Sequence, residues 1–460
     1  MGKTATDVVV KEIDTTLSSA ELFSLFKDRE HCFFLDSGMD PEKLGRYSFI
    51  GFDPETKLTV EVGGNPFDKL KALLADYHLD YEVELPFIGG AVGYLGYDLC
   101  HHVERLPRTA VADVQIPDCF FGIYDGVIAV DHLLDKVYVA SPGLFGDPAE
   151  WVAKVEREIL TGAGDVMTSV GFPAVEARPR KQLTGNMPKE QYLRAIDTIK
   201  DYIRSGDIYQ ANMTQRFQCK TNESPYALYN KLRTINPAPF AAYLDFGSGH
   251  LLSSSPERFL QIRQGKVQTR PIKGTLPRGA TEQEDRANSQ QLFESEKDRS
   301  ELLMIVDLMR NDLGRVCKTG SVQVTELFHI EPYSTVFQLV STVEGELEEG
   351  VHAVDCIKLA FPGGSITGAP KIRAMEVIDE IEPTQRNAYT GSIGYIGFNG
   401  DADLNIVIRT ILQKDDDAYF QVGGGIVWDS DPESEYQETI VKAKALMEAL
   451  HAELPVGDGK

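Results

Sequence analysis

The chain has no apolar run long enough to span a bilayer and no signal-like N-terminus, so a soluble cytoplasmic protein with no membrane partner is expected. Cysteine is sparse. Cys32, Cys100, Cys119, Cys219, Cys317 and Cys356 stand apart without C-x-x-C or finger-like spacing, which argues against a disulfide framework and a structural zinc site. Positive charge is short too: the formal net charge is −24, no basic cluster interleaves with aromatics, and nucleic acid is not an expected partner. No histidine falls in H-E-x-x-H, no G-x-S-x-G occurs, and 429-DSDPESE-435 lacks the glycine of an EF-hand loop. Hydrolase and calcium-loop readings therefore have no support.

What is present is an ordinary globular composition, 42% hydrophobic and 25% charged, over 460 residues, enough for two or three average domains or one large α+β body. Residues 1–165 read as short strands and turns, with 46-RYSFIGF-52, 57-KLTVEV-62, 88-IGGAVGYLGYDL-99 and 121-FGIYDGVIAVDH-132 between Gly and Pro punctuation. The polar stretch 171–190, with three prolines and no hydrophobic period, reads as the connection to a second region, 185–455. There, Tyr192, Ile196, Ile199 and Ile203 recur at helical spacing before Ser205-Gly206. Strands are predicted over 209–219, 251–263, 265–275, 391–398, 404–413 and 418–428, and long helices over 283–312 and 433–454. In 209–219, alternation puts Tyr209, Ala211, Met213 and Phe217 on one face; the polar face of Gln210, Asn212, Thr214 and Arg216 has solvent exposure as its plain explanation.

Several residues carry possible chemistry. Glu301 lies beside the apolar face of its helix, where a carboxylate needs either a cationic partner or a metal ion. Glu435, Glu438 and Lys442 fall on one stripe of the last helix, either as an ordinary Glu-Lys pair or as part of a cation and carboxylate site. The glycines of 363-GGSITGAPK-371 and 423-GGGIV-427 would let backbone N–H groups approach an anion, or serve only packing. The first is not a phosphate-binding P-loop, since no Ser or Thr follows Lys371. In 269-TRPIKGTLPRG-279, Lys273 stands between a proline corner and a Gly-Thr pair, where it could be only a solvated strand residue.

These segments, in this order, resemble the chorismate-utilising enzymes, and within them component I of aminodeoxychorismate synthase. The resemblance rests on 254-SSPERF-259, 270-RPIKGT-275, 301-ELLMIVDLMRNDLGRV-316, 361-FPGGSITGAPK-371, 391-GSIGYIG-397, 408-IRT-410 and 423-GGGIVWDSDPESEYQET-439, with 87-FIGGAVGYLGYDL-99 in the first half. It implies an α+β fold of large antiparallel sheets packed as a sandwich with flanking helices, the two regions forming one compact body. It implies Mg²⁺-dependent amination of chorismate at C4 to 4-amino-4-deoxychorismate, on the way to 4-aminobenzoate and folate, with ammonia from a glutamine amidotransferase subunit. Lys273 is the expected nucleophile at ring carbon 2, because relatives that make anthranilate carry alanine there. An ammonium cannot attack, so the amine must be free at that moment; magnesium, Arg270 or burial could each favour this.

By the same resemblance, Glu257 is the general acid at the C4 oxygen; otherwise it is a surface carboxylate paired with Arg258. Glu301 and Glu438 are direct Mg²⁺ ligands, with Glu435 acting through water. Thr275, Tyr389, Arg409, Lys442 and the backbone of Gly423, Gly424 and Gly425 hold the substrate carboxylates, with Gly274, Gly364 and Ser365 bordering the pocket. Gln210 stands where water-activating relatives place a lysine, which argues against water as the nucleophile. Gln338 replaces a histidine tied to pyruvate elimination in anthranilate synthases. Ser37, with Asn236, Pro237 and Phe240, resembles a tryptophan pocket, although Asp36-Ser37-Gly38 also reads as a plain turn. The alternatives are anthranilate synthase component I, against which Lys273 and Gln338 count, and a non-catalytic relative that binds tryptophan or chorismate.

Overall fold

The computed structural model describes residues 8–37, 39–60, 65–81, 83–166, 179–333 and 336–454; Gly38 and the 171–178 part of the expected connection lie outside them. Two large antiparallel sheets carry the fold. From edge to edge the first runs Val9–Ile13, Lys136–Ser141, Val127–Asp131, Tyr47–Gly51, Phe33–Asp36, Phe240–Asp245, His250–Ser255, Thr410–Lys414, Asp417–Ile426, Gln210–Lys220 and Thr184–Gly185, with Gly368–Ala369 also on Gln210–Lys220. The second runs Ile272–Pro277, Val336–Glu346, Lys266–Thr269, Arg258–Arg263, Ala402–Asn405, Ser392–Gly397, Gly90–Leu95, Cys119–Tyr124 and Thr56–Val60, with Gln323–Pro332 beside Val336–Glu346. Strands from before residue 165 and after residue 185 are hydrogen-bonded in both sheets: Phe33–Asp36 pairs with Phe240–Asp245, and Gly90–Leu95 with Ser392–Gly397.

The sheets stack through an apolar layer in which Phe33, Phe49, Val127 and Leu244 of the first meet Val92, Tyr94, Phe120 and Ile393 of the second. Each such side chain removed from water contributes about 1.5–3 kcal/mol, and the Phe49–Tyr395 ring pair at 5.7 Å is edge-on, as aromatic quadrupoles prefer. Helices Ser19–Phe26, Pro225–Ile235 and Pro432–Leu450 cover the outer face of the first sheet. Helices Pro66–Ala75, Glu296–Gly314 and Ala353–Ala360 cover that of the second.

Several predicted elements are divided. The expected helix over 283–312 is two, Glu282–Glu294 and Glu296–Gly314, because Ser295 takes an extended conformation (ψ 105°) and caps the second through its side chain. The strand over 251–263 is also two, and its halves belong to different sheets: His250–Ser255 lies in the first and Arg258–Arg263 in the second. Residues 404–413 make the reverse passage, from Ala402–Asn405 to Thr410–Lys414. The stretch 181–185, read as connection, forms two short strands, Lys181–Gln182 beside Ala452–Glu453 and Thr184–Gly185 beside Gln218 and Phe217. The polar face of Gln210–Lys220 is not solvated: Gln210, Asn212, Thr214 and Arg216 are all buried, whereas Tyr209 just before the strand is exposed. Its hydrogen bonds are met inside, with Thr214 donating to Glu382, and Glu382 paired with Arg386.

Candidate active site

The two passages between sheets place Glu257 and Arg409. Glu257 lies where the chain leaves the first sheet, buried, with the Ser365 hydroxyl and the Ile272 N–H beside its carboxyl. Burial pushes the Glu257 carboxyl up to about 7, against the opposing pull of those two donors and of the Lys273 charge. The surface pairing with Arg258 does not occur, because Arg258 forks onto Asp403 at 2.9 and 3.0 Å. Arg409 sits in the left-handed region (φ 53°) on the return passage, and its Nη1 donates to the Lys442 carbonyl at 2.8 Å. Burial pushes its guanidinium down from the usual value, while Tyr389 and Glu438 oppose this. Burial also raises the Tyr389 phenol, so the neutral hydroxyl is a donor.

Lys273 lies on Ile272–Pro277, the edge strand of the second sheet, with Nζ 3.9 Å from a Glu301 oxygen and both side chains about seven-eighths buried. A bulge between Lys273 and Thr275 is turned by Gly274 (φ 70°), where a Cβ would stand 2.8 Å from the Asp298 carboxyl carbon. Gly274 therefore seats the strand against the start of the Glu301 helix, and Thr275 is exposed beside it. Arg270 is spent elsewhere: its guanidinium pairs with Glu331 at 2.6 Å and Glu326 at 3.2 Å, and Lys43 reaches Glu331 from the first half of the chain. Gln338, opposite Thr275, is buried with its amide oxygen unpaired among the described residues.

The glycine run makes the floor. On Asp417–Ile426, a Cβ at Gly425 would stand 2.3 Å from the Gln210 amide nitrogen and 3.3 Å from the Lys273 nitrogen. Gln210 is wholly buried, and neither of its amide atoms has a partner among the described residues. A Cβ at Gly424 would meet Glu435, Glu438 and Lys442 at 3.4–3.6 Å. Lys442 donates to the Gly423 carbonyl at 2.8 Å and to Glu438 at 2.6 Å, so the intrahelical pair exists but faces this floor. Burial lowers the Lys442 ammonium. For Glu438, burial raises the carboxyl but Lys442 outweighs it, and the net direction is down. Burial raises Glu301, which Lys273 and Lys297 oppose.

Glu301, Glu435 and Glu438 supply only carboxylate oxygens, the ligand type a hard divalent cation takes. Among the described residues no three His, Cys, Asp or Glu side chains are gathered as a closed metal cage. Each acid is instead held by a lysine or a hydroxyl: Glu301 by Lys273, Glu438 by Lys442, and Glu435 by Lys297 at 3.9 Å and Ser430 at 2.6 Å. An open acidic set fits magnesium, which keeps much of its water shell and needs few direct protein ligands.

The glycine-rich loop 363–371 serves the site from behind. Ser365 reaches Glu257, but a Cβ at Gly364 would strike Met309 and Leu308, so Gly364 packs on the Glu301 helix. Lys371, unassigned from the sequence, closes the loop: its Nζ donates to Asp312 at 2.6 Å and to the carbonyls of Ala360 and Pro362 at 2.9 and 3.0 Å. No spacing rule could have found these contacts, whereas Lys297 lies one helical turn before Glu301 and was legible as its neighbour. Of the four residues resembling a tryptophan pocket, Ser37 and Phe240 line a cavity of about 560 Å³ with Arg258, Tyr395, Asp403 and Asn405. Pro237 lines an adjoining hollow, and Asn236 bonds to Ser254.

Comparison with known proteins places this arrangement. The family model described as chorismate binding enzyme matches residues 30–448, and the chain belongs to that family. It is 40% identical to anthranilate synthase component 1 of Acetivibrio thermocellus, over 96% of this chain and 94% of the relative. It is 46% identical to aminodeoxychorismate synthase component 1 of Klebsiella aerogenes, over 80% and 78%. Its fold matches the crystal structure of anthranilate synthase component I from Streptococcus pneumoniae TIGR4 with a TM-score of 0.77 at 33% identity, covering 87% and 92% of the two chains.

Proposed function

We propose that this chorismate-utilising enzyme aminates its substrate at C4, giving 4-amino-4-deoxychorismate for 4-aminobenzoate and folate synthesis. The observation that supports it best is a lysine nitrogen and a buried acid brought to one strand: the Glu257 carboxyl lies beside the N–H of Ile272, the residue before Lys273. The free Lys273 amine bonds to ring carbon 2 while electrons shift through the ring and the C4–O bond breaks. Glu257 gives its proton to the departing hydroxyl, which leaves as water. Ammonia then bonds at C4, the electrons return, the C2–N bond breaks to release Lys273, and the new C4 ammonium gives back to Glu257 the proton it lost. The net change is chorismate plus ammonia to aminodeoxychorismate plus water.

Arg409, Tyr389, Lys442 and the backbone around Gly423–Gly425 would hold the two carboxylates, and the neutral Gln210 amide beside Lys273 offers no base to activate water. Glu301 and Glu438, with Glu435 through water, would hold Mg²⁺, which when bound supplies positive charge for a substrate carboxylate. Arg270 is paired with its own acids, Glu331 and Glu326, and so is not a free charge beside Lys273. Ammonia would come from a glutamine amidotransferase subunit, and tryptophan would occupy the Ser37 and Phe240 cavity.

The comparable identity to an anthranilate synthase component favours a second reading in the same family, release of anthranilate and pyruvate. Mass analysis after incubation with chorismate, Mg²⁺ and an ammonium salt at mildly alkaline pH separates the two. Aminodeoxychorismate is the expected product. Anthranilate with pyruvate would replace the first reading by the second, and no chorismate consumption, even with a glutaminase subunit added, would remove both.

A further inference from the structure

We propose that Lys297 is a displaceable counter-cation for the acidic trio, holding Glu435 in the metal-free chain and competing with the divalent ion for it. This rests on the metal reading above. The three acids are matched one to one by three lysines, but the lysines are not alike. Lys442 is fixed by a carbonyl as well as by Glu438, and Lys273 is inward-facing on a strand. Lys297 is more than half exposed, and its 3.9 Å approach to Glu435 is an ion pair longer than a hydrogen bond.

Its position is electrostatically odd. Lys297 lies in the first turn of Glu296–Gly314, where the helix dipole disfavours a cation. Four residues before Glu301, it shares a helix face with that carboxylate. One flexible ammonium thus lies against Glu435 from the helix that carries Glu301. A divalent cation placed among the same oxygens repels that ammonium, which must swing into solvent. The lysine's long stem and exposure make this a side-chain movement only.

The test is metal affinity, independent of turnover. Mg²⁺ binding is measured by calorimetry, and Mn²⁺ binding by electron paramagnetic resonance, on the full chain without chorismate, for wild type, Lys297→Gln and a control, Lys189→Gln. Lys189 pairs with exposed Glu433 on the same helix as Glu435. Lys297→Gln is expected to bind either ion about three- to tenfold more tightly, the gain shrinking at high salt, with the control unchanged. Equal or weaker binding by Lys297→Gln overturns the proposal and leaves the metal reading standing. If wild type and both variants bind neither ion, the metal reading fails and this proposal goes with it.

Discussion

Ionising Glu257 in place is costly, because its carboxyl has been taken out of water and is charged only above about 7, against an ordinary 4.5. Between those values the folded chain holds a proton that the unfolded chain has released. Stability therefore falls as pH rises through that window, by about 1.4 kcal/mol per pH unit, and levels off above it. Glu257→Gln cannot ionise and escapes the loss. Its melting temperature at pH 8 should exceed that of the wild type, with the difference closing near pH 4, while amination drops by about a hundredfold or more. A variant no more stable at pH 8 would contradict the buried, proton-holding carboxyl. If Glu257 serves as the proposed general acid, kcat/KM of the wild type should decline as pH rises through about 7.

The glycine floor can be tested one methyl at a time. Gly425→Ala drives a Cβ into the Gln210 amide and close to Lys273, whereas Gly424→Ala meets its neighbours at ordinary contact distance. Steady-state kinetics should show a much larger loss for the first. Equal losses would mean that the floor is not where the ring lies.

Among elements, the two passages between sheets do the positioning, and they explain what the sequence concealed. The stretches 251–263 and 404–413 read as single strands because a residue's sheet cannot be inferred from its side-chain period. Glu257 and the Arg409 passage were therefore visible as motif residues but not as neighbours. Gln210 was legible as a polar strand residue and misleading as a solvated one, since a strand buried on both faces can still alternate in polarity.

The loop closed by Lys371 is the other element at work, tying Ser365 and the Glu301 helix together. Lys371→Met leaves Asp312 charged, buried and alone, at a cost of about 3 kcal/mol or more. A matching fall in melting temperature and kcat is expected, partly restored in the Lys371→Met/Asp312→Asn double variant. A double variant as damaged as the sum of its parts would show the two residues acting separately.

For the molecule as a whole, strands of the two halves meet at one hydrogen-bonded seam in each sheet, so neither half can lose structure without exposing an edge of the other. The chain offers its own reporters, Trp151 on the first half and Trp428 on the second. Denaturant unfolding of Trp151→Phe and Trp428→Phe should give superimposable fluorescence transitions; two separated midpoints would mean two independent bodies. The sheet content was readable from β-branched and aromatic runs, but strand order was not, because pairings such as Phe34 with Tyr243 span too much chain for local signals.

Whether the Lys273 amine bonds to the substrate ring is decided by single-turnover amination with Lys273→Ala. With chorismate, Mg²⁺ and excess ammonium, the variant should bind chorismate nearly as well as wild type and form aminodeoxychorismate at least about a hundredfold more slowly. Product formed by the variant at the wild-type rate would mean that the Lys273 amine makes no bond to the ring.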